Sequence, residues 1–223
     1  MASAPPLTEI ETTTWTAVDL VDRFGAIPVS RILNPPEPGT ATVEDVIRLH
    51  DEQNRLFELI DGTLVEKTMG AHESYLGLQL GAILTAYVQG LNTGIVLGAD
   101  GMLRLFPNQV RIPDVSFLSW QRLTGSGFPR KAVPEMVPDL AVEVLSGSNT
   151  DQEMDRKLED YFTAGVRLVW FVDGSDKTVR VYTATDCCIV FRESDSLSGG
   201  DVLPGFELPL KQLFSEPWKP HIG

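Results

Sequence analysis

Asp114, Glu143 and Lys157 are the residues whose types and spacing can do chemistry together. Each acid sits among apolar neighbours, Asp114 in Ile112-Pro113-Asp114-Val115 and Glu143 in Leu140-Ala141-Val142-Glu143-Val144-Leu145, 29 residues later. Lys157 follows Glu143 by 14 residues. A lone ionised carboxylate in apolar surroundings is costly, so it must shift its pKa, find a cationic partner or hold a metal. Two carboxylates, a lysine and room for water make a hard-cation site. Oxygen ligands suit Mg2+ or Mn2+, which usually keep several waters. Such an ion polarises a phosphodiester and lowers the pKa of an attacking water. The metal ligands expected are Asp114 and Glu143, with Lys157 placed to orient that water or to neutralise developing charge.

These residues need elements to hold them. The stretch Pro138–Ser146 reads as a short buried strand bounded by Pro138 and Gly147. Side chains alternate along a strand, so Leu140, Val142 and Val144 face one way, and Ala141, Glu143 and Leu145 the other. Residues 112–118 form another strand, with Asp114 on the face of Ile112, Ser116 and Leu118. After Gly147-Ser148-Asn149-Thr150 a helix is capped by Thr150 or Asn149, with Glu153 placed for a capping box. Met154, Leu158, Tyr161 and Phe162 make its apolar face, Lys157 lies at the border, Glu153 and Asp155 read as solvated, and Gly165 ends it.

Upstream, residues 71–90 carry Leu76, Leu80, Ile83, Leu84 and Tyr87 at helical spacing, with His72 at the edge of the stripe and Glu73 within it. Asp61-Gly62 between two apolar runs signals a hairpin. Glu58, on the first of those runs, shares a face with Leu56 and Ile60 and is half buried, with Lys67 as its simplest cross-strand partner. Thr42 and Asp45 open a helix reaching about His50. Thr16 to Phe24 reads as a short helix with Val18, Val21 and Phe24 inward, followed by a proline-rich run at 34–39. Residues 1–40 are therefore expected to be an N-terminal arm or linker, and residues 41–223 the domain. Further strands are expected at 94–97, 102–106, 168–172, 179–183 and 189–191, with a loop near 124–137 and a closing loop and helix over 201–213. The order implies an α/β fold, a central mixed β-sheet flanked by helices.

The charge balance restricts the partners. With 18 basic against 31 acidic residues the net charge is −13, which opposes DNA binding because phosphate contacts draw on Lys and Arg. A cation-binding site is not opposed. No apolar run approaches the ~18 residues of a membrane span, and the polar N-terminus shows no secretory pattern, so no membrane partner and a cytoplasmic location are expected. Cys187 and Cys188 are adjacent on a strand, pointing to opposite faces, and are expected to be reduced structural thiols. Trp120 and Trp170 read as core or rim aromatics rather than base-stacking platforms.

Five strings in order also carry a resemblance: Phe57-Glu58-Leu59-Ile60-Asp61-Gly62, His72 at the start of a long helix, Pro113-Asp114-Val115, Val142-Glu143-Val144-Leu145-Ser146, and Lys157 with Tyr161 and Ala164-Gly165-Val166. They resemble the Uma-type bacterial family of restriction-endonuclease-like proteins, within the PD-(D/E)XK nuclease superfamily, over roughly residues 42–183. The resemblance implies a restriction-endonuclease-like core, with Asp114 as first acid and Glu143 as second. The usual lysine two residues after the second acid is absent, because position 145 is Leu. The resemblance takes the lysine from the following helix, Lys157. It adds Glu58 and His72 to the catalytic set, with Glu73 the alternative helix acid. The activity implied is divalent-metal-dependent endonucleolytic hydrolysis of DNA. Two other readings stand beside it: a non-catalytic, homodimeric interaction module using the N-terminal arm, and a metal-dependent hydrolase of a small phosphorylated molecule.

Overall fold

The computed structural model describes residues 15–123 and 130–215. The first 14 residues of the expected arm, and part of the loop expected near 124–137, lie outside them. Three early elements are α1 (Ala17–Phe24), a 3-10 turn (Val29–Arg31) and α2 (Val43–Gln53). The hairpin β1 (Phe57–Ile60) and β2 (Thr63–Glu66) leads to the long helix α3 (Ala71–Leu91). Then come β3 (Gly94–Leu97), β4 (Leu103–Phe106), β5 (Gln109–Arg111), β6 (Val115–Ser119) and β7 (Leu140–Leu145). Helix α4 (Asp151–Ala164) is followed by β8 (Leu168–Asp173), β9 (Thr178–Ala184), β10 (Cys187–Arg192), β11 (Ser196–Ser198), β12 (Glu207–Pro209) and α5 (Leu210–Leu213).

The central sheet has the order β10-β9-β8-β7-β6-β3 and is mixed: β7 runs parallel to β8 across the α4 crossover, and the other neighbours are antiparallel. Leu140, Val142 and Val144 pack with Leu76, Leu80 and Leu84 of α3 and with Leu210 and Leu213 of α5. Ala141 packs on the other face with Met154, Leu158 and Tyr161 of α4. The alternation expected for β7 is therefore the one found. Helices cover both faces, as the α/β reading requires.

A second sheet, β2-β1-β5-β4, was not visible as a separate unit in the sequence. One face packs Phe57, Leu59, Leu64, Val110 and Ile112 against Val46 and Leu49 of α2. Asp61 (φ 48°) and Gly62 (φ 71°) make the expected tight turn between β1 and β2. Thr42 and Asp45 form the expected reciprocal cap.

Residues 15–40 lie along this sheet. Ile32 bridges to Val65, and Gly39 and Ala41 donate to the Gly62 carbonyl. Phe24 and Ile27 pack on Ile60 and Val65. Val18 and Val21, expected inward, are 67 % and 57 % exposed. Periodicity marks an apolar stripe without saying whether a surface exists to cover it, and α1 is anchored through Phe24 instead. Glu153, read as solvated, is buried. Thr150 accepts from the Glu153 amide as expected, but the Glu153 carboxylate turns away to grip Arg31.

Candidate active site

Asp114 lies immediately before β6, and its amide still donates to the Val142 carbonyl. Its side chain extends the ladder: Oδ2 accepts from the Val144 amide at 2.6 Å. Its other oxygen, Oδ1, is 2.8 Å from Nζ of Lys67, which also donates to the Ile112 carbonyl at 2.5 Å. One residue before Val144, Glu143 points to the α4 side. Oε2 accepts from Lys157 Nζ at 2.8 Å, and Oε1 accepts from the Tyr161 hydroxyl. Lys157 and Tyr161 are four residues apart on α4 and so stack one turn above the other, facing β7.

Glu58 joins from β1. Its oxygens accept from Arg111 NH1 at 2.8 Å and from the Ile112 amide at 3.1 Å, and Lys157 Nζ lies 3.5 Å away. Arg111 in turn holds Asp160 of α4 through Nε at 3.0 Å. Helix α4 thus lies between the two sheets. Its apolar face meets the large one, Lys157 reaches acids of both, Glu143 and Glu58, and Asp160 meets Arg111 of the small one. Arg31 and Glu153 close the layer, with NH2 to Oε1 at 2.7 Å.

Of the five catalytic residues expected, Asp114, Glu143, Lys157 and Glu58 come together around one small polar cavity of about 20 Å3, also lined by Arg31, Lys67, Asn149 and Glu153. His72 does not join them. It is exposed at the start of α3, packed over Gly174, where a Cβ would collide with its ring. Glu73 stays at its own helix start, over Gly70. Lys67, Arg111, Tyr161, Arg31 and Glu153 complete the cluster without having been singled out as site residues. A cross-strand pair with Lys67 is the structural alternative for Glu58; the observed register puts Val65 opposite Glu58, and Lys67 pairs with Asp114.

The fields in this cluster are uneven. Burial tends to raise the Glu58 pKa, but Lys157, Arg111 and Lys67 outweigh it and hold the carboxyl down at about 2. For Glu143 burial is the larger effect; Asp114 and Glu58 add to it, Lys157 opposes it, and its pKa is raised. Burial alone would lower the Lys157 pKa, yet Glu143 and Glu58 raise it, so Lys157 stays an ammonium. Tyr161, buried beside Glu143, is raised well above the usual phenol value and remains a donor.

Among the described residues no group of three or more His, Cys, Asp or Glu side chains is arranged to hold a metal ion. Asp114 and Glu143 offer two carboxylates beside a cavity with room for about one water-sized occupant. Two carboxylates with waters are a usual protein contribution to a Mg2+ site, whereas a site built for Zn2+ would draw on His or Cys. The donor set therefore fits a hard divalent cation that keeps most of its water. A cation bound there would meet the Lys67 ammonium at Oδ1 of Asp114. A second, larger cavity of about 590 Å3 runs between α3 and β3, past Gly77, Gly81, Ala86 and Leu97, and among the described residues Asp114 is its only charged lining residue.

The architecture is an α/β fold, a mixed sheet flanked by helices, with two acids from adjacent strands meeting Lys157 of α4 and Lys67 at one polar cavity. A solved structure shares this fold: the "putative nuclease belonging to DUF820 from Anabaena variabilis ATCC 29413" matches with a TM-score of 0.67 and 21 % identity, over 78 % of this chain and 97 % of that one. The chain belongs to the Uma2 family, described as "Putative restriction endonuclease", whose model matches residues 43–211. No curated protein shows significant similarity to it. No helix among the described residues is long and apolar enough to cross a membrane.

Proposed function

We propose that the chain is a divalent-metal-dependent nuclease that hydrolyses DNA phosphodiester bonds, with Asp114 and Glu143 as ligands for Mg2+ or Mn2+. The supporting observation is the convergence of these two carboxylates, from neighbouring strands, with Lys157 on one polar cavity. A bound divalent ion would polarise the phosphodiester and acidify a water. Tyr161 and Lys157 each hold one oxygen of Glu143 and so fix its orientation. Lys157, kept protonated, is no general base; it places positive charge where negative charge develops. Lys67 fixes Asp114 in the same way. Glu58 and Arg111 support Lys157 from the small sheet.

The test is cleavage of supercoiled plasmid with Mg2+, Mn2+ or EDTA, by the parent and by Glu143→Gln and Asp114→Asn. The parent is expected to cut only with a divalent ion. Each variant is expected to lose more than about 100-fold, since even outer-shell changes at metal sites cost 10–100-fold. Variants that fold and cut like the parent would remove the assignment.

One observation favours a second reading, a non-catalytic interaction module. Every oxygen of Asp114 and Glu143 already has a partner within the chain, and the net charge of −13 opposes DNA. Calorimetric titration with Mn2+ separates the two: a scaffold shows no saturable binding that depends on Asp114.

A further inference from the structure

The central sheet ends differently at its two sides. At one edge β3 is half buried beneath α3. At the other, β10 reads Cys-Cys-Ile-Val-Phe-Arg and leaves all of Cys187, Cys188, Ile189 and Val190 exposed, Ile189 at 58 % and Val190 at 48 %. Successive strand residues point to opposite faces, so both faces of this edge are uncovered and apolar. Natural edges are usually protected by lysine, proline or a covering loop. Among the described residues, none of these protects 187–190. The one irregularity lies at Cys187/Cys188, at the start of the strand.

We propose that β10 is an interaction surface for a second copy of this chain, which pairs with it antiparallel and joins the two six-stranded sheets into one. The charges at its ends select the copy and the register. Asp186 lies in the two-residue turn that leads from β9 into the strand and Arg192 ends it, and neither makes an ion pair within the described residues, so both charges are available at the ends of the edge. Pairing about a two-fold axis at Ile189 sets Asp186 of each protomer opposite Arg192 of its partner, twice over, and joins Cys188 to Val190. Sliding by one residue removes both pairs and puts Cys187 opposite Arg192, while Glu193 stays paired with Lys177. The strand is thus complementary to itself in one register. Residues 15–40, a different candidate for the dimer contact, are committed to their own chain through Gln152, Asp61, Glu153 and the small sheet. A single paired strand buries little area, so the association is weak and concentration-dependent. The net charge of −13 acts over distances that physiological salt screens.

Sedimentation equilibrium of the full chain under reducing conditions tests this. The parent is expected to show a monomer–dimer equilibrium. Arg192→Glu, which turns both end pairs repulsive, is expected to weaken it about tenfold. The swap Asp186→Arg with Arg192→Asp is expected to restore it. In a Cys187→Ser/Cys188→Ser background, Ile189→Cys should form an interprotomer disulfide on mild oxidation, because Cα atoms directly opposite in an antiparallel pair lie about 4.5–5.5 Å apart. A parent that stays monomeric to about 100 μM overturns the proposal, including when it captures a foreign strand peptide instead. So does a dimer indifferent to Arg192→Glu that gives no Ile189→Cys cross-link. All these positions are exposed, so far-UV circular dichroism is expected to be unchanged. Nuclease activity is read separately, because β10 lies at the edge away from Asp114.

Discussion

Strand β7 faces two different interiors. On its α3 side, Leu140, Val142 and Val144 join Leu80, Leu84, Trp170 and Val172 in an apolar layer. On its α4 side, Glu143 sits between Ala141 and Leu145 and meets Lys157 and Tyr161, with Glu58, Arg111 and Asp160 beyond. The apolar side is held by area removed from water, about 25 cal/mol per Å2, and tolerates volume-conserving swaps. The charged side is different. Replacing buried ion pairs by well-packed apolar residues is often neutral or stabilising, whereas removing one partner is strongly destabilising. Stability alone therefore gives no reason for Glu143; the metal-ligand role proposed for it would supply one.

The largest contrast is expected from Lys157→Met. The substitution fills similar volume but leaves Glu143 and Glu58 without the ammonium they share. A loss of about 3–5 kcal/mol in urea unfolding is expected, together with loss of metal-dependent cleavage. Adding Glu143→Gln should recover part of the stability and none of the activity, because the residues are coupled. A Lys157→Met protein as stable as the parent would show that the ammonium does not hold this layer.

Next is the response to acid. The folded-state pKa of Glu58 is about 2, below its ordinary 4.5. A depressed carboxylate contributes stability above the unfolded pKa, and that contribution is lost as pH falls through the folded one, here between 4.5 and about 2. The full difference corresponds to about 3 kcal/mol. Glu143 works in the opposite sense: its pKa is raised, so its contribution is present below 4.5 and is lost as pH rises through the folded value. Unfolding of Glu58→Gln, followed in EDTA from pH 6 to pH 2.5, should therefore show a flatter acid limb than the parent. An unchanged limb would mean that Glu58 is not the group titrating there.

What the sequence could and could not reveal follows the same division. Glu143 and Asp114 were legible because an acid in an apolar run is visible locally. The alternation of β7, the Asp61-Gly62 turn and the Thr42 cap were legible for the same reason. Arg111, between Val110 and Ile112, bears the same local mark as Glu143 and could have been found by the same rule. Lys67 bears none, since it follows the end of β2 and meets Asp114 only through the fold. Glu153 satisfies a local capping pattern, but its carboxylate answers to Arg31, 122 residues away. His72 stands at the helix start the resemblance pointed to, yet that start lies over Gly174, apart from the cavity. The small sheet escaped because β5 has three residues, and its pairing with β1, Leu59 opposite Val110, joins distant parts of the chain.

The smallest effect is expected one residue before Glu143. Val142 is fully buried on the α3 face, opposite Val115 of β6 and Trp170 of β8. Val142→Ala removes two methyl groups, worth about 0.8 kcal/mol each in transfer, and leaves a small cavity whose cost depends on how far α3 relaxes. A loss of about 2 kcal/mol is expected, measured by urea unfolding. Cleavage measured well below the unfolding temperature should be unchanged, because the removed atoms face away from Glu143. If Val142→Ala lowered cleavage while the protein stayed folded, the two faces of β7 would be coupled through the strand itself. The charged layer would then depend on the packing behind it, and not only on the partners it touches.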